Sequence, residues 1–226
     1  MSFAGGKLQN LKLFIFDLDG TLIDSEEDLT DSVNATRERA GMAPLSRETV
    51  ASYVGQGVTV LVRRALADGT PEEEIDRAVA FFLDYYRQHM LDHTALYPGV
   101  LETLQQLKPR KLAVLTNKAV NFSRQILAGL NVDSYFGFVY GGNSFGQKKP
   151  DPVGIFRLMR DTGAREAETL MIGDSETDIQ TGRNAGVWTC GVTYGIGSHT
   201  LAGTAPDLML NSLRELPFYL NGHAAG

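Results

Sequence analysis

Four acidic residues fall where a chain can use them together. Asp17 and Asp19 close an apolar run, Leu11 to Phe16 broken only by Lys12, and Gly20 follows them. A run of that length reads as a strand buried on both faces. A strand that delivers carboxylates at its carboxyl end puts them where open α/β sheets bind ligands. Gly20 permits the tight turn that keeps both acids at one mouth. Asp174 and Asp178 repeat the device, because Gly173-Asp174 ends another apolar stretch and Asp178 lies one helical turn further on, on the same face. Hard Mg2+ takes oxygen ligands and keeps several waters, so one or two carboxylates plus a phosphate suffice. Asp174 reads as a direct ligand; Asp178 reads as a ligand through water or as the residue that orients a lysine. Lys148-Lys149, between a glycine loop and Pro150-Asp151-Pro152, can supply that lysine. Its ammonium offsets negative charge on an incoming phosphate and on the transition state. Thr116-Asn117 ends a third apolar stretch. There a hydroxyl can donate to a phosphoryl oxygen, and an amide can anchor substrate or brace the loop.

The elements that must position these groups alternate along the chain. Helices are predicted over Glu26 to Gly41, with Ser25 as N-cap, over Val58 to Ala67, and from Pro71 to about His89 with Ala78, Phe81, Phe82 and Tyr85 on the apolar face. Helix Val100–Leu107, strand Lys111–Leu115, helix Val120–Leu130 and strand Phe136–Tyr140 follow. Next come helix Val153–Asp161, strand Thr169–Ile172, helix Thr177–Ala185, strand Val187–Val192 and a short strand at Leu208–Leu210. This order implies an α/β fold: a Rossmann-like parallel sheet with helices on both faces. Residues 25–94 offer no strand and are expected to form a helical cap inserted into a core made of residues 1–24 and 95–226. Asn221 to Gly226 reads as a frayed tail.

The 226 residues can bury a full core. A net charge of -6 argues against nucleic acid as a partner, since binding a phosphate backbone needs clustered Lys and Arg. Cys190 is the single cysteine, so no intrachain disulfide forms. No apolar run approaches membrane-spanning length, and Met1-Ser2-Phe3-Ala4-Gly5-Gly6 lacks a signal-peptide hydrophobic region. The expectation is a cytoplasmic protein without a membrane partner, a monomer or weak homodimer.

Asp17-Leu18-Asp19-Gly20-Thr21-Leu22 resembles the first motif of the haloacid dehalogenase superfamily of phosphohydrolases, and the other groups resemble its remaining three motifs in order. The resemblance implies that Asp17 is a nucleophile that becomes an aspartyl phosphate and that Asp19 is general acid and base. It implies Mg2+ held by the Asp17 carboxylate, the Asp19 backbone carbonyl and Asp174, with Asp178 nearby. It places the lysine directly before the proline, which selects Lys149 and leaves Lys148 solvated or steering. It gives Thr116, Lys149 and backbone N–H groups around Leu18 and Gly20 to the phosphoryl oxygens, and Asn117 to the substrate.

The predicted cap is similar at Tyr53-Val54-Gly55-Gln56-Gly57 and Leu61-Val62-Arg63-Arg64-Ala65-Leu66 to the phosphoglycolate phosphatases, as are Tyr97-Pro98-Gly99-Val100 and Thr116-Asn117-Lys118. Gln56 stands where Asn is more frequent, and Ala119 where Pro often follows the lysine. The implied substrate is a small phosphorylated metabolite, 2-phosphoglycolate first, with Gln56, Arg63 and Arg64 as candidates to hold its carboxylate. A pyrophosphatase or a nucleotide or sugar phosphatase shares the same motifs. A sugar phosphomutase usually carries a His where this chain reads Glu27-Asp28-Leu29. Phosphonate cleavage needs a cap lysine, and none occurs between Lys12 and Lys108. A dehalogenase has no need of Asp19, and a non-catalytic binder would be expected to have lost one of the motif residues. Trp188 and Cys190 read as core, His89 and His93 as a partly exposed helix end, and Gly191 to Gly197 as a flexible loop near the mouth of the site.

Overall fold

The computed structural model describes residues 8–220; the expectations about Met1 to Gly6 and Asn221 to Gly226 lie outside them. In chain order come β1 (Leu13–Phe16), β2 (Ile23–Asp24), α1 (Glu26–Arg39), α2 (Arg47–Ala51), α3 (Val58–Ala65) and α4 (Glu72–His89). Then follow β3 (Ala95–Leu96), α5 (Val100–Leu107), β4 (Lys111–Leu115), α6 (Val120–Gly129), β5 (Phe138–Tyr140), α7 (Val153–Thr162) and β6 (Thr169–Gly173). α8 (Glu176–Asn184), β7 (Trp188–Val192), β8 (Leu208–Leu210) and α9 (Leu216–Leu220) complete the order.

β1 sits inside the main sheet because all four of its residues are apolar and fully buried. The order is β5-β4-β1-β6-β7-β8, and each neighbouring pair is parallel. Alternation along the strands divides the core in two. Phe14 and Phe16 pack with Leu112, Val114, Leu170 and Ile172 on one face, against α5 and α6. Leu13 and Ile15 pack with Ala113, Leu115 and Met171 on the other, against Ile155 and Leu158 of α7. The register β1 to β4 (Phe16 opposite Val114) and β1 to β6 (Phe16 opposite Ile172) ends three strands at nearly one level. Their next residues, where the chemistry-bearing side chains sit, therefore converge.

β2 and β3 pair antiparallel and close the neck of the helical insert, with Ile23 opposite Leu96. Two-residue strands carry no periodicity, which is why the sequence does not reveal them. Buried Asp28 of α1 accepts from the His93 and Thr94 backbone N–H groups, each at 2.9 Å, and from the Thr94 hydroxyl at 2.6 Å, fixing the returning chain to the insert. On α4 the buried face is Ile75, Phe82 and Tyr86. Phe81 and Tyr85, expected on that face, are only half-buried, and the Arg39 guanidinium lies 4.9 Å from the Phe81 ring centroid. α2 has no counterpart among the helices expected from sequence; Ser46 caps its start by accepting from the Thr49 N–H. β5 begins two residues later than expected because Asp133–Tyr135 form a 3-10 turn. His93 lies beyond the end of α4 and shares no helix face with His89. No helix among the described residues is long and apolar enough to cross a membrane.

Candidate active site

The end of β1 turns sharply. The Asp17 N–H still donates to the Ile172 carbonyl as a sheet bond (2.9 Å), and the chain then folds back so that the Gly20 N–H donates to Ile23 (2.9 Å). Gly20 has a φ of 82°, and a β-carbon on it would collide with the Asp174 carboxylate. Glycine is needed there for conformation and for space alike. On the opposite side Gly195 approaches so closely that its own β-carbon would strike the Gly20 carbonyl and Asp174. The segment read as a flexible loop is thus part of the site. The Gly197 N–H donates to Asp174 Oδ2 at 2.7 Å, and the Tyr194 hydroxyl donates to the Thr21 carbonyl at 2.8 Å.

Lys149 is buried between two acids. Its Nζ lies 2.5 Å from Asp178 Oδ1 and 2.8 Å from Asp17 Oδ1. Burial pulls its pKa down, but the two carboxylates outweigh it and hold the group well above the ordinary lysine range. Asp178 Oδ2 accepts from the Ser175 N–H (3.1 Å) and hydroxyl (2.6 Å), in the capping box that starts α8. These bonds suit the lysine-orienting role for Asp178. Asp17 is pushed up to about 6, first by burial and then by Asp178, with Lys149 pulling the other way. Asp174 is raised well above the ordinary carboxylate range by burial and by its neighbours Asp178 and Asp17.

Oxygens of Asp17, Asp174 and Asp178 lie within 4.8 Å of one another. Three buried carboxylates share one ammonium, and Asp17 Oδ1, although close to Lys149, makes no aligned hydrogen bond. An all-oxygen donor set with surplus negative charge suits a hard divalent cation such as Mg2+. The residues fit the ion that the motif implies.

Thr116 and Asn117 follow β4, side by side with this cluster. The Asn117 side chain clamps Lys149 from both directions: Oδ1 accepts from its N–H (3.0 Å) and Nδ2 donates to its carbonyl (3.1 Å). Nδ2 also donates to Gly55 of the insert at 2.8 Å. Bracing is therefore the role that the bonds of Asn117 show, and the substrate-anchoring alternative finds no free donor in it. The Thr116 hydroxyl accepts from the Lys118 N–H at 3.2 Å.

A cavity of about 90 Å³ lies between the insert and the strand ends. Asp17, Asp19, Thr116, Asn117 and Asp174 line its floor, and Val54, Val58, Leu61, Phe82 and Tyr86 its insert side. Gln56 and Arg64 do not reach it: Arg64 Nη2 donates to Gln56 Oε1 at 3.1 Å on the exposed surface. Arg63 is held outside as well, paired with Glu72. The reason is helical geometry, since Leu61, Val62 and Ala65 supply the buried face of α3 and turn both arginines outward.

Residues 14–192 match the haloacid dehalogenase-like hydrolase family, a stretch that runs from β1 through β7 and holds all four motif groups. The chain belongs to this family. Phosphoglycolate phosphatase 1 of Pseudomonas aeruginosa is 39% identical to the hydrolase over 214 residues, covering 91% of this chain and 78% of that protein. The phosphoglycolate phosphatase of Chromobacterium violaceum is 36% identical over 215 residues, covering 92% and 96%. The crystal structure of a predicted phosphoglycolate phosphatase from Haemophilus somnus superimposes with a TM-score of 0.88 at 32% identity, covering 92% of this chain and 97% of that one.

Two polar residues of the hydrolase's site, Ser25 and Lys118, hold Asp19, a role that their places in the sequence do not show. Ser25, expected as the N-cap of α1, makes no side-chain cap; its hydroxyl donates to Asp19 Oδ1 at 2.6 Å. Lys118 Nζ lies 2.8 and 2.9 Å from the two Asp19 oxygens and 4.9 Å from the Tyr86 ring centroid. Asp19 outweighs burial and raises the Lys118 pKa. The place of Lys118 next to Thr116-Asn117 at a strand end signals its nearness to the site, not its partner.

Proposed function

We propose that the chain is a phosphomonoester hydrolase that works through an aspartyl phosphate on Asp17, with 2-phosphoglycolate, cleaved to glycolate and phosphate, as its substrate. The observation that carries the reading is the pairing of two differently placed acids at one strand end. Asp17 is buried beside a fixed ammonium and two further carboxylates, and Asp19 sits apart on Ser25 and Lys118. One suits a nucleophile held against phosphorus; the other suits proton transfer.

Asp17 attacks phosphorus in line, and Asp19 gives its proton to the departing alkoxide. Asp19 then takes a proton from water, which opens the aspartyl phosphate. Lys149, Thr116 and backbone N–H groups near Leu18 meet the equatorial oxygens, whereas the Gly20 N–H, expected among them, is spent on the Ile23 carbonyl. Asp17, Asp174 and the Asp19 carbonyl would hold Mg2+, with Asp178 setting Lys149; when bound, the ion neutralises phosphate charge. The helical cap over the site excludes water during the first step. The two relatives named phosphoglycolate phosphatase support the substrate, and the narrow cavity supports a small leaving group.

Phosphate release is to be measured with and without Mg2+ on 2-phosphoglycolate, pyrophosphate, a nucleoside monophosphate and several sugar phosphates. The expected result is Mg2+-dependent turnover with kcat/KM for 2-phosphoglycolate at least about a hundredfold above the others. Similar low rates across the panel would keep the chemistry and reject the substrate.

A further inference from the structure

We propose that Lys118 is the residue that reads the negative charge of the leaving group, and that it waits on Asp19 until such a charge arrives. The inference rests on the phosphatase reading above and assigns a specificity role that the motif residues leave open.

The cavity walls next to the acids are apolar: Leu29, Val54, Val58, Leu61, Phe82 and Phe122. A carboxylate held among such groups without a partner is costly. Among the residues lining the cavity, Lys118 is the one Lys or Arg. The two arginines of α3 cannot substitute, because Arg63 is engaged by Glu72 and Arg64 by Gln56, all four on the exposed surface. Lys149 is committed below the cavity to Asp17 and Asp178. Lys148 Nζ sits beside Gly57 at the cavity's edge without lining it, so a leaving group that carries its own carboxylate meets Lys118 as the one cation of the lining.

That cation is already placed by the fold. The Lys118 side chain is 9% exposed, and its ammonium bridges both oxygens of Asp19 beneath the Tyr86 ring of α4. An ammonium has three donors, and two are spent on Asp19. With Ser25 also on Oδ1, three of the about four acceptor sites of the Asp19 carboxylate are taken, which leaves one on Oδ2 for an ester oxygen. A carboxylate entering beside Lys118 offers the ammonium an equivalent partner, so exchange of one ion pair for another costs little and releases an oxygen of Asp19 toward the leaving group. A neutral leaving group offers no such exchange. The discrimination is then expressed in kcat as well as in KM, because the uncharged substrate binds but leaves Asp19 engaged.

The test compares 2-phosphoglycolate with ethyl phosphate, which lacks only the carboxylate function, at saturating Mg2+. The wild-type chain is expected to favour 2-phosphoglycolate by about a hundredfold or more in kcat/KM, with part of the difference in kcat. In Lys118→Met that ratio is expected to fall to within about fivefold of unity, and in Lys118→Arg, which keeps the charge, to stay above about tenfold. Equal loss on both esters in Lys118→Met, with the ratio intact, overturns the proposal by making Lys118 a general support of Asp19. Should the Met variant fold poorly, the wild-type ratio and the Arg variant still decide: a wild-type chain that cleaves both esters equally well overturns the inference and keeps the phosphatase. Hydrolysis of neither ester by the wild-type chain removes the phosphatase reading and this inference with it.

Discussion

Asp17→Asn lowers phosphate release by about 10⁴-fold or more while the folded structure persists. The amide keeps the shape of the side chain but cannot attack phosphorus, so the loss falls on the chemical step. Stability moves the other way. Asp17 is buried, and its pKa in the fold is about 6 against an ordinary 3.8. A raised carboxylate contributes stability that is fully present below its unfolded pKa and is lost as pH rises through the folded one. At pH 7.5 in chelator, ionised Asp17 therefore costs on the order of 3 kcal/mol, which the amide removes. Lys149 keeps Asp178 as a partner at 2.5 Å, so no ammonium is left unpaired. Thermal unfolding of the two proteins in chelator at pH 7.5 should show the variant with the higher midpoint, by up to several degrees. Residual turnover above about 1% of wild type would remove Asp17 from the nucleophile's role.

Lys149→Met is the second large effect, and here stability and activity fall together. The lysine is the ammonium that compensates Asp17 and Asp178, and both of its ion pairs are buried. Removing one partner of a buried pair typically costs about 3–5 kcal/mol, because the remaining charge has lost its compensation and not its desolvation. In this site two carboxylates are stranded next to a third, Asp174. Turnover should drop by about 10² to 10³, as when one preorganised donor to a transition-state oxyanion is lost. Mg2+ should recover part of the lost midpoint, since a cation among the same oxygens replaces part of the missing charge. Lys148 is exposed, and Lys148→Met should stay within about 0.5 kcal/mol of wild type. Equal behaviour of the two variants in urea unfolding would contradict the placement of Lys149 inside the cluster.

The core of this site was legible because each acid ends a strand or opens a helix. An apolar run stopping at Asp17 or at Gly173-Asp174 announces both the strand and the place where its side chain emerges. The parallel order of strands and helices follows from the same pattern, and β4, α5 and β8 have the bounds expected from sequence. What spacing could not show was which polar side chain partners which. Ser25 looks like an N-cap because a hydroxyl before three acids usually is one; in the fold its hydroxyl faces Asp19 across the β1 turn. Asn117 looks like a substrate ligand until its amide is seen clamped on Lys149 and Gly55. Gln56 and Arg64 carry polarity in the right stretch, but orientation on a short helix depends on which residues the rest of the insert buries, and α3 buries Leu61, Val62 and Ala65. Lys118 was hidden for the same reason: its importance comes from Asp19, a residue 99 positions away.

The covalent step is tested most directly in Asp19→Asn with p-nitrophenyl phosphate, whose leaving group departs without needing a proton. Attack by Asp17 then proceeds, while opening of the aspartyl phosphate, which needs Asp19 as base, is slowed. After acid quench and peptic digestion, mass spectrometry should find one added phosphoryl group on the peptide that contains Asp17, at close to one per chain. It should be absent from the double variant that also carries Asp17→Asn. Release of nitrophenol with no phosphorylated peptide, or with the phosphoryl group on a different residue, would contradict nucleophilic catalysis by Asp17.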